Sequence, residues 1–254
     1  MGALHAGHAA LIERARRHAG KRGTVVVSIF VNPAQFGPKE DFARYPRSFE
    51  ADRQLCERHG ADAIFHPSAE AMYGTDFSTW VTEEHVSRGL CGATRPGHFR
   101  GVSTVVLKLF TITSADAAIF GQKDLQQGMV VRRMVRDLNL PVRLLLAPTV
   151  REKDGLALSS RNRYLTPEER AQAPVLQRAL GAALTAFRRG MRSAAELRQI
   201  IVQSVAAAEL AKLDYAEVVD AESLQRIERV ESRAFLAIAV FFGKTRLIDN
   251  LALR

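Results

Sequence analysis

Between residues 9 and 146, apolar runs of strand length alternate with stretches of helical spacing, and no other feature of the chain constrains its fold as strongly. Residues 9–20 have the spacing of a helix, whereas 24–31 form a near-continuous β-branched run, expected of a strand covered on both faces. Residues 48–59 read as a helix closed by Gly60, with a short strand following at 63–65. The order then repeats as helix 102–113, strand 117–120, helix 125–138 and strand 142–146. Such alternation predicts a mostly parallel, doubly wound α/β sheet. Past about residue 150 the rhythm changes. Two long helices, 167–189 and 194–212, precede strand-like stretches at 215–219, 234–240 and 246–249, the pattern of a smaller α+β domain. Domains are therefore expected over 1–149 and 150–254, with no repeats, low-complexity tract or long linker.

A chain of 254 residues, 47% hydrophobic and 25% charged, can bury one large core or two modest ones. The longest apolar runs, 24–31 and 235–242, have strand length and fall well short of the roughly 20 residues of a membrane span. No basic, apolar, small-residue export signal opens the sequence, so a cytoplasmic location is expected. Cys56 and Cys91 lie far apart with no metal-ligand spacing, which argues against a disulfide framework or a zinc site. The net charge of +9 is scattered, and its densest clusters, Arg14/Arg16/Arg17 and Arg132/Arg133/Arg136, alternate with apolar positions as solvated helix faces do. A basic surface also concentrates small anions such as phosphates and carboxylates. Neither a nucleic-acid nor a membrane partner is expected.

Ligand sites in such sheets gather beyond the C-terminal ends of strands, so the loops carry the functional information. The chain begins MGALHAGH, which sets His5 and His8 one turn apart at a helix start, where backbone N–H groups and the helix dipole favour a phosphate. Paired histidines at such a place also serve as caps or surface residues. After the first strand comes a loop over 32–41, leading to Tyr45-Pro46-Arg47; prolines and a glycine stiffen it, and Asn32 and Gln35 supply amides suited to an oxygen-rich ligand. The alternative is a solvated turn. Arg95, His98 and Arg100 flank the start of the buried helix and read as an anion contact. Next, Gly121 allows close backbone approach, Lys123 offers a mobile positive charge, and Asp124 either caps the next helix or binds a ribose hydroxyl, with Gln127 one turn further on. Finally Ser159, Ser160 and Arg161 form a hydroxyl and guanidinium cluster that could close over a triphosphate, or simply make a turn.

Taken in order, MGALHAGH, SIFVNPAQFGPKEDFARYPR, RPGHFRGVSTVVLKLF, FGQKDLQQ and REKDGLALSSRNRYL closely resemble the pantoate–β-alanine ligases of the nucleotidylyltransferase superfamily. The resemblance runs from Met1 to about Leu165 and more loosely beyond. It implies a Rossmann-like domain binding ATP and pantoate over 1–149, a C-terminal α+β lid over 150–254, and a homodimer. The implied reaction is an ATP-dependent ligation: pantoate attacks the α-phosphorus, pyrophosphate leaves, and β-alanine takes the pantoyl group from the adenylate to give pantothenate and AMP. Carried over position by position, His5 and His8 would touch the phosphates, His8 as general acid, and Lys123 would stabilise the α-phosphate. The nucleotide pocket would draw on the rest of the opening block, Met1, Gly2, Ala3, Leu4, Ala6 and Gly7. It would also take Gly121, Gln122 and Asp124 near the ribose, Val150 and Leu158 as lining, and Ser159, Ser160 and Arg161 over the departing pyrophosphate. Gln35 and Gln127 would grip pantoate, with Asn32, Tyr45, Arg95 and His98 nearby. Magnesium would arrive with ATP, with no protein metal site.

One departure stands out. Members of the family carry a strand ahead of the MGALH block, so the chain as written is expected to expose strand edges, at a cost comparable to much of a domain's stability of roughly 5–15 kcal/mol. Poor folding or weak activity is expected, with both restored by an added upstream apolar strand. Thermal melts and pyrophosphate release compared at the two lengths test this, and equal values would end it. Two rival functions remain: another adenylyltransferase with a different acceptor, which the paired glutamines and the Asn-Pro-Ala-Gln loop argue against, and a basic nucleic-acid-binding protein, which the scattered charge and lack of aromatic platforms argue against.

Overall fold

The computed structural model describes residues 2–38 and 42–254, with Arg44 described by its backbone alone. It divides into two compact units, Met1–Gly121 with Gln126–Pro148, and Gln122–Leu125 with Thr149–Arg254.

In the first unit the elements run α1 (Ala6–Ala19), β1 (Val26–Ser28), α2 (Phe49–Arg58), β2 (Ala63–Phe65), short α3 (Ala69–Met72) and α4 (Cys91–Thr94), α5 (His98–Thr113), β3 (Ala117–Gly121), α6 (Leu125–Asp137) and β4 (Arg143–Ala147). Strands β1 and β2 run parallel, as do β3 and β4, each pair joined through helical segments as parallel pairing requires. The single continuous sheet expected from the alternation is present instead as two separate pairs, with no ladder between them among the described residues. The run at 24–31 shortens to three residues because β2 pairs with only three of them, and Val26 remains 41% exposed. Leu4 and Ile12 meet Val25, Val27 and Ile29, alternate residues of one strand face, together with Cys56 of α2. Helix α5 begins at His98, four residues before the expected start, because Gly97 takes the left-handed backbone (φ 79°) that turns the chain into it. Its Phe99, Val102, Val106 and Phe110 recur at helical spacing and are buried.

The second unit contains α7 (Pro167–Gln172), α8 (Val175–Arg188), α9 (Ala194–Ala206) and an antiparallel sheet of β5 (Ala211–Asp220), β6 (Ala234–Phe242) and β7 (Thr245–Leu253), with β6 central. Leu236, Ile238, Val240 and Phe242 share one face of β6 and pack with Leu176, Leu180, Leu197 and Ile201 of α8 and α9. Each such side chain contributes roughly 1.5–3 kcal/mol by leaving water. The expected helix 167–189 breaks at Pro174, which lacks an N–H and cannot continue the i to i−4 ladder. The helix expected to reach 212 stops at Ala206, because β5 already pairs at Ala211 with Phe242. No helix among the described residues is long and apolar enough to cross a membrane.

Candidate active site

The opening block is held by a carboxylate that the sequence did not single out. Asp52, on α2 and 2% exposed, accepts from the Ala3 N–H at 2.9 Å through Oδ2 and from the Leu4 N–H at 2.7 Å through Oδ1. Both donors are buried, so the charged acceptor answers groups that water does not reach. Ala3 sits in the left-handed region (φ 49°), which costs a residue with a Cβ about 1–2 kcal/mol, and the two bonds to Asp52 offset that strain. Gly2 lies against Val31, where an added Cβ would meet Cγ2 at 3.2 Å. Met1, expected in the nucleotide pocket, lies outside the described residues.

Ala6 and Gly7 open α1, and the two histidines cap it reciprocally. The His5 Nδ1 accepts from the Gly7 N–H at 3.1 Å, and the His8 Nδ1 accepts from the His5 N–H at 3.2 Å, a capping box built from imidazoles. A backbone N–H only donates, so neither Nδ1 carries a proton, and in each neutral ring the proton sits on Nε2. The rings lie 4.1 Å apart, centre to centre. Nδ1 of each ring is thus committed to the start of α1.

Asn32, 3% exposed, is the anchor of the loop after β1. Its Oδ1 accepts from the Ala34 N–H at 3.2 Å and from the Tyr73 hydroxyl at 2.8 Å, while Nδ2 donates to the Gly101 carbonyl at 3.1 Å. Burial pushes the Tyr73 phenol up to about 12, so it stays a donor. The 3-10 turn Pro33–Gln35 then lies directly on α5. Only glycine fits at position 101, because a Cβ there would meet the Ala34 oxygen at 2.2 Å. Arg95 and His98, expected near an anion, hold this loop by their contacts with Gln35. His98 Nδ1 lies 2.8 Å from the Gln35 carbonyl and must donate to it, which makes Nε2 the acceptor for Arg95 Nη1 at 3.0 Å. Arg100 stacks over Trp80 instead, 4.6 Å from the ring centre. Tyr45 meets Phe36, the neighbour of Gln35, edge to face at 5.9 Å. Gln127 is half-buried on α6; the fully engaged amide is its neighbour Gln126, which joins Val86, Gly89 and Cys91. Gly121 ends β3, near Leu11 of α1.

In the second unit, Gln122, Lys123 and Asp124 form a 3-10 turn, with Lys123 Nζ 3.7 Å from the Asp124 carboxylate. Val150 and Leu158 face one another across a small hairpin, where Leu158 N–H donates to the Val150 carbonyl at 3.0 Å and Arg151 pairs with Ala157. Its turn carries Gly155 (φ 92°), so the Asp154-Gly155 dipeptide was a legible hairpin signal. Ser159 follows the hairpin and caps the 3-10 helix Ser160–Tyr164 by accepting from the Arg161 N–H, which brings Ser159, Ser160 and Arg161 onto one turn. Glu152 accepts from Asn162 at 2.9 Å and from Arg170 at 2.7 Å, tying hairpin, turn and α7 together. Arg170 also holds the Asp154 carboxyl below its usual range. No group of three or more His, Cys, Asp or Glu side chains suited to a metal ion occurs among the described residues.

Comparisons with known proteins agree with one another. The family profile of pantoate-beta-alanine ligase matches residues 1–252. The pantothenate synthetase of Thermotoga neapolitana is 53% identical over 253 residues, covering 100% of this chain and 89% of that protein. That of Desulfovibrio desulfuricans is 54% identical over 254 residues, with 100% and 89% covered. Among solved structures, the pantothenate synthetase of Thermus thermophilus superposes with a TM-score of 0.94 at 48% identity, covering 99% of this chain and 90% of that one. The ligase of Francisella tularensis, solved with a β,γ-ATP compound and β-alanine, gives 0.75 at 34% identity, with 99% and 86% covered. A profile match over nearly every residue, joined to identities above half, shows that the chain belongs to the pantoate-beta-alanine ligase family.

Proposed function

We propose that this chain joins pantoate to β-alanine, forming pantothenate, and does so through a pantoyl-adenylate made from ATP. The observation that carries the reading is the double-histidine cap, which seats both imidazoles at the N-terminus of α1, where backbone N–H groups and the helix dipole favour a phosphate. In the first half-reaction a pantoate carboxylate oxygen attacks the α-phosphorus, and the bond from that phosphorus to the bridging oxygen of pyrophosphate breaks. Negative charge spreads over the phosphoryl oxygens, so positioned positive groups and N–H donors lower the barrier. In the second, the β-alanine amine attacks the acyl carbon and AMP leaves. No enzyme nucleophile is required.

His5 and His8 donate to phosphate oxygens in this reading. Because its Nδ1 is committed to the cap, His8 serves as a neutral donor in place of the general acid implied by resemblance; a proton on Nδ1 would break the cap. Lys123 stabilises the α-phosphate, Asp124 and the backbone around Gly121 and Gln122 bind the ribose, Val150 and Leu158 line the base, and Ser159, Ser160 and Arg161 hold pyrophosphate. Gln35, Gln127, Asn32 and Tyr45 bind pantoate, with Arg95 and His98 keeping Gln35 in place. The buried Asn32 amide supports this, since Nδ2 donates to the Gly101 carbonyl and holds the loop that carries Gln35 against α5. Magnesium would arrive on the phosphates, where it would neutralise charge. A homodimer located in the cytoplasm completes the reading.

Formation of equimolar AMP and pantothenate from ATP, pantoate and β-alanine tests the function, and no AMP from the three together overturns it. Tyr73→Phe tests the loop. Losing one hydrogen bond to Asn32 of about 1 kcal/mol is expected to raise KM for pantoate roughly fivefold with kcat changed less. An unchanged KM would show that Gly101 and Ala34 suffice.

A further inference from the structure

Asn250 lies on β7, more than a hundred positions along the chain from Lys123, and is 4% exposed. Its Nδ2 donates both hydrogens to consecutive carbonyls, to Gln122 at 2.8 Å and to Lys123 at 3.0 Å. Its Oδ1 accepts from Gln122 Nε2 at 3.4 Å. Consecutive carbonyls belong to the peptide planes on either side of the Lys123 Cα, so holding both fixes the backbone there and with it the direction of the Cα–Cβ bond. The amide orientation is forced, because carbonyls accept only.

Asn250 is itself held. Its own N–H donates to Asp249 Oδ1 at 2.8 Å, and Asp249, 2% exposed, takes Arg151 in a two-pronged pair at 2.5 and 2.9 Å. Arg151 opens the hairpin that leads to Ser159 and donates to Gly155 O at 3.1 Å. The dipeptide Asp249-Asn250 thus grips the lysine turn with one side chain and the hairpin with the other.

We propose that Asn250 is a positioning residue for Lys123, and that Asp249-Asn250 sets the lysine turn and the Ser159–Arg161 turn in register as one frame for the phosphate chain. The proposal rests on the reading of Lys123 as a phosphate-binding group. A displacement of the amine by about 1 Å would cost up to about 10²-fold in rate.

Steady-state AMP formation by the full chain and by Asn250→Ala, Lys123→Ala and the double variant separates the two claims. Asn250→Ala is expected to lose roughly 10- to 100-fold in kcat, with KM for pantoate and β-alanine within about twofold. The double variant should be no slower than Lys123→Ala, because no amine remains to be placed. Asn250→Asp, similar in shape but without the two N–H donors, should lose rate at least as much as the alanine variant, and it replaces that variant if the alanine form melts below the assay temperature. Losses that multiply in the double variant, or full activity in Asn250→Ala, overturn the positioning role. Full activity in Lys123→Ala overturns the reading of the lysine and this proposal with it.

Discussion

Lys123→Ala is expected to lower kcat for pantoate-dependent AMP formation by about 10²- to 10³-fold, the range for removing one preorganised group that faces developing charge. The negative charge appears on the α-phosphoryl group and the departing pyrophosphate, so a cation aimed there gains more in the transition state than in the ground state. KM should move much less than kcat, since the other phosphate contacts remain. Lys123→Arg keeps the charge and loses the compact ammonium, and should restore only part of the rate. His8→Ala belongs beside it, with a loss of about 10²-fold if its Nε2–H faces the phosphates. That variant also removes half of a helix cap, worth about 1 kcal/mol, so its melting temperature separates the two effects. A His8→Ala enzyme with full kcat and a lowered melt would leave the histidine only a cap.

Asp52→Ala is expected to give the largest loss of stability of any single change described. It strands the buried N–H groups of Ala3 and Leu4, each costing about 1–3 kcal/mol, and leaves the left-handed Ala3 without its compensating bonds. A total on the order of 3–5 kcal/mol corresponds to a fall of roughly 10 °C in Tm for a protein of this size. Asp52→Asn retains one accepting oxygen and should fall between the two. Because residues 3 and 4 lead straight into His5, activity should drop in step with the melt. Scanning calorimetry decides the matter: a melt within about 2 °C of the parent chain would mean that the segment is held by Leu4 packing alone.

Local patterns carried most of the elements. Periodicity located α1, α2, α6 and β2 within a few residues, because each buries one stripe or face that its own sequence spells out. What it missed was decided by partners distant in the chain. The length of β1 depends on β2, the end of α9 on the pairing of β5 with Phe242, and the unbroken sheet on ladders that no single segment encodes. The loop motifs singled out His5, His8, Asn32, Gln35, Lys123 and Ser159 as chemistry-bearing because amides, imidazoles and amines clustered beside glycine and proline. The residues that hold those groups in place were not legible. Asp52 looks like an ordinary helix-surface carboxylate, Tyr73 like a lone aromatic, and Asn250 like a polar position in a strand; each acquires its role only through a contact made across the fold. Arg95 and His98 stood out by charge alone, and only the fold shows that they also hold Gln35.

Exchange of labelled pyrophosphate into ATP, measured with pantoate present and β-alanine omitted, isolates the half-reaction on which everything else depends. Rapid exchange that needs pantoate, and that falls by about 10²-fold or more in Lys123→Ala, is the expected result. Exchange that proceeds without pantoate, or none when pantoate and ATP are both supplied to an enzyme that still makes pantothenate, would contradict an adenylate formed at this site.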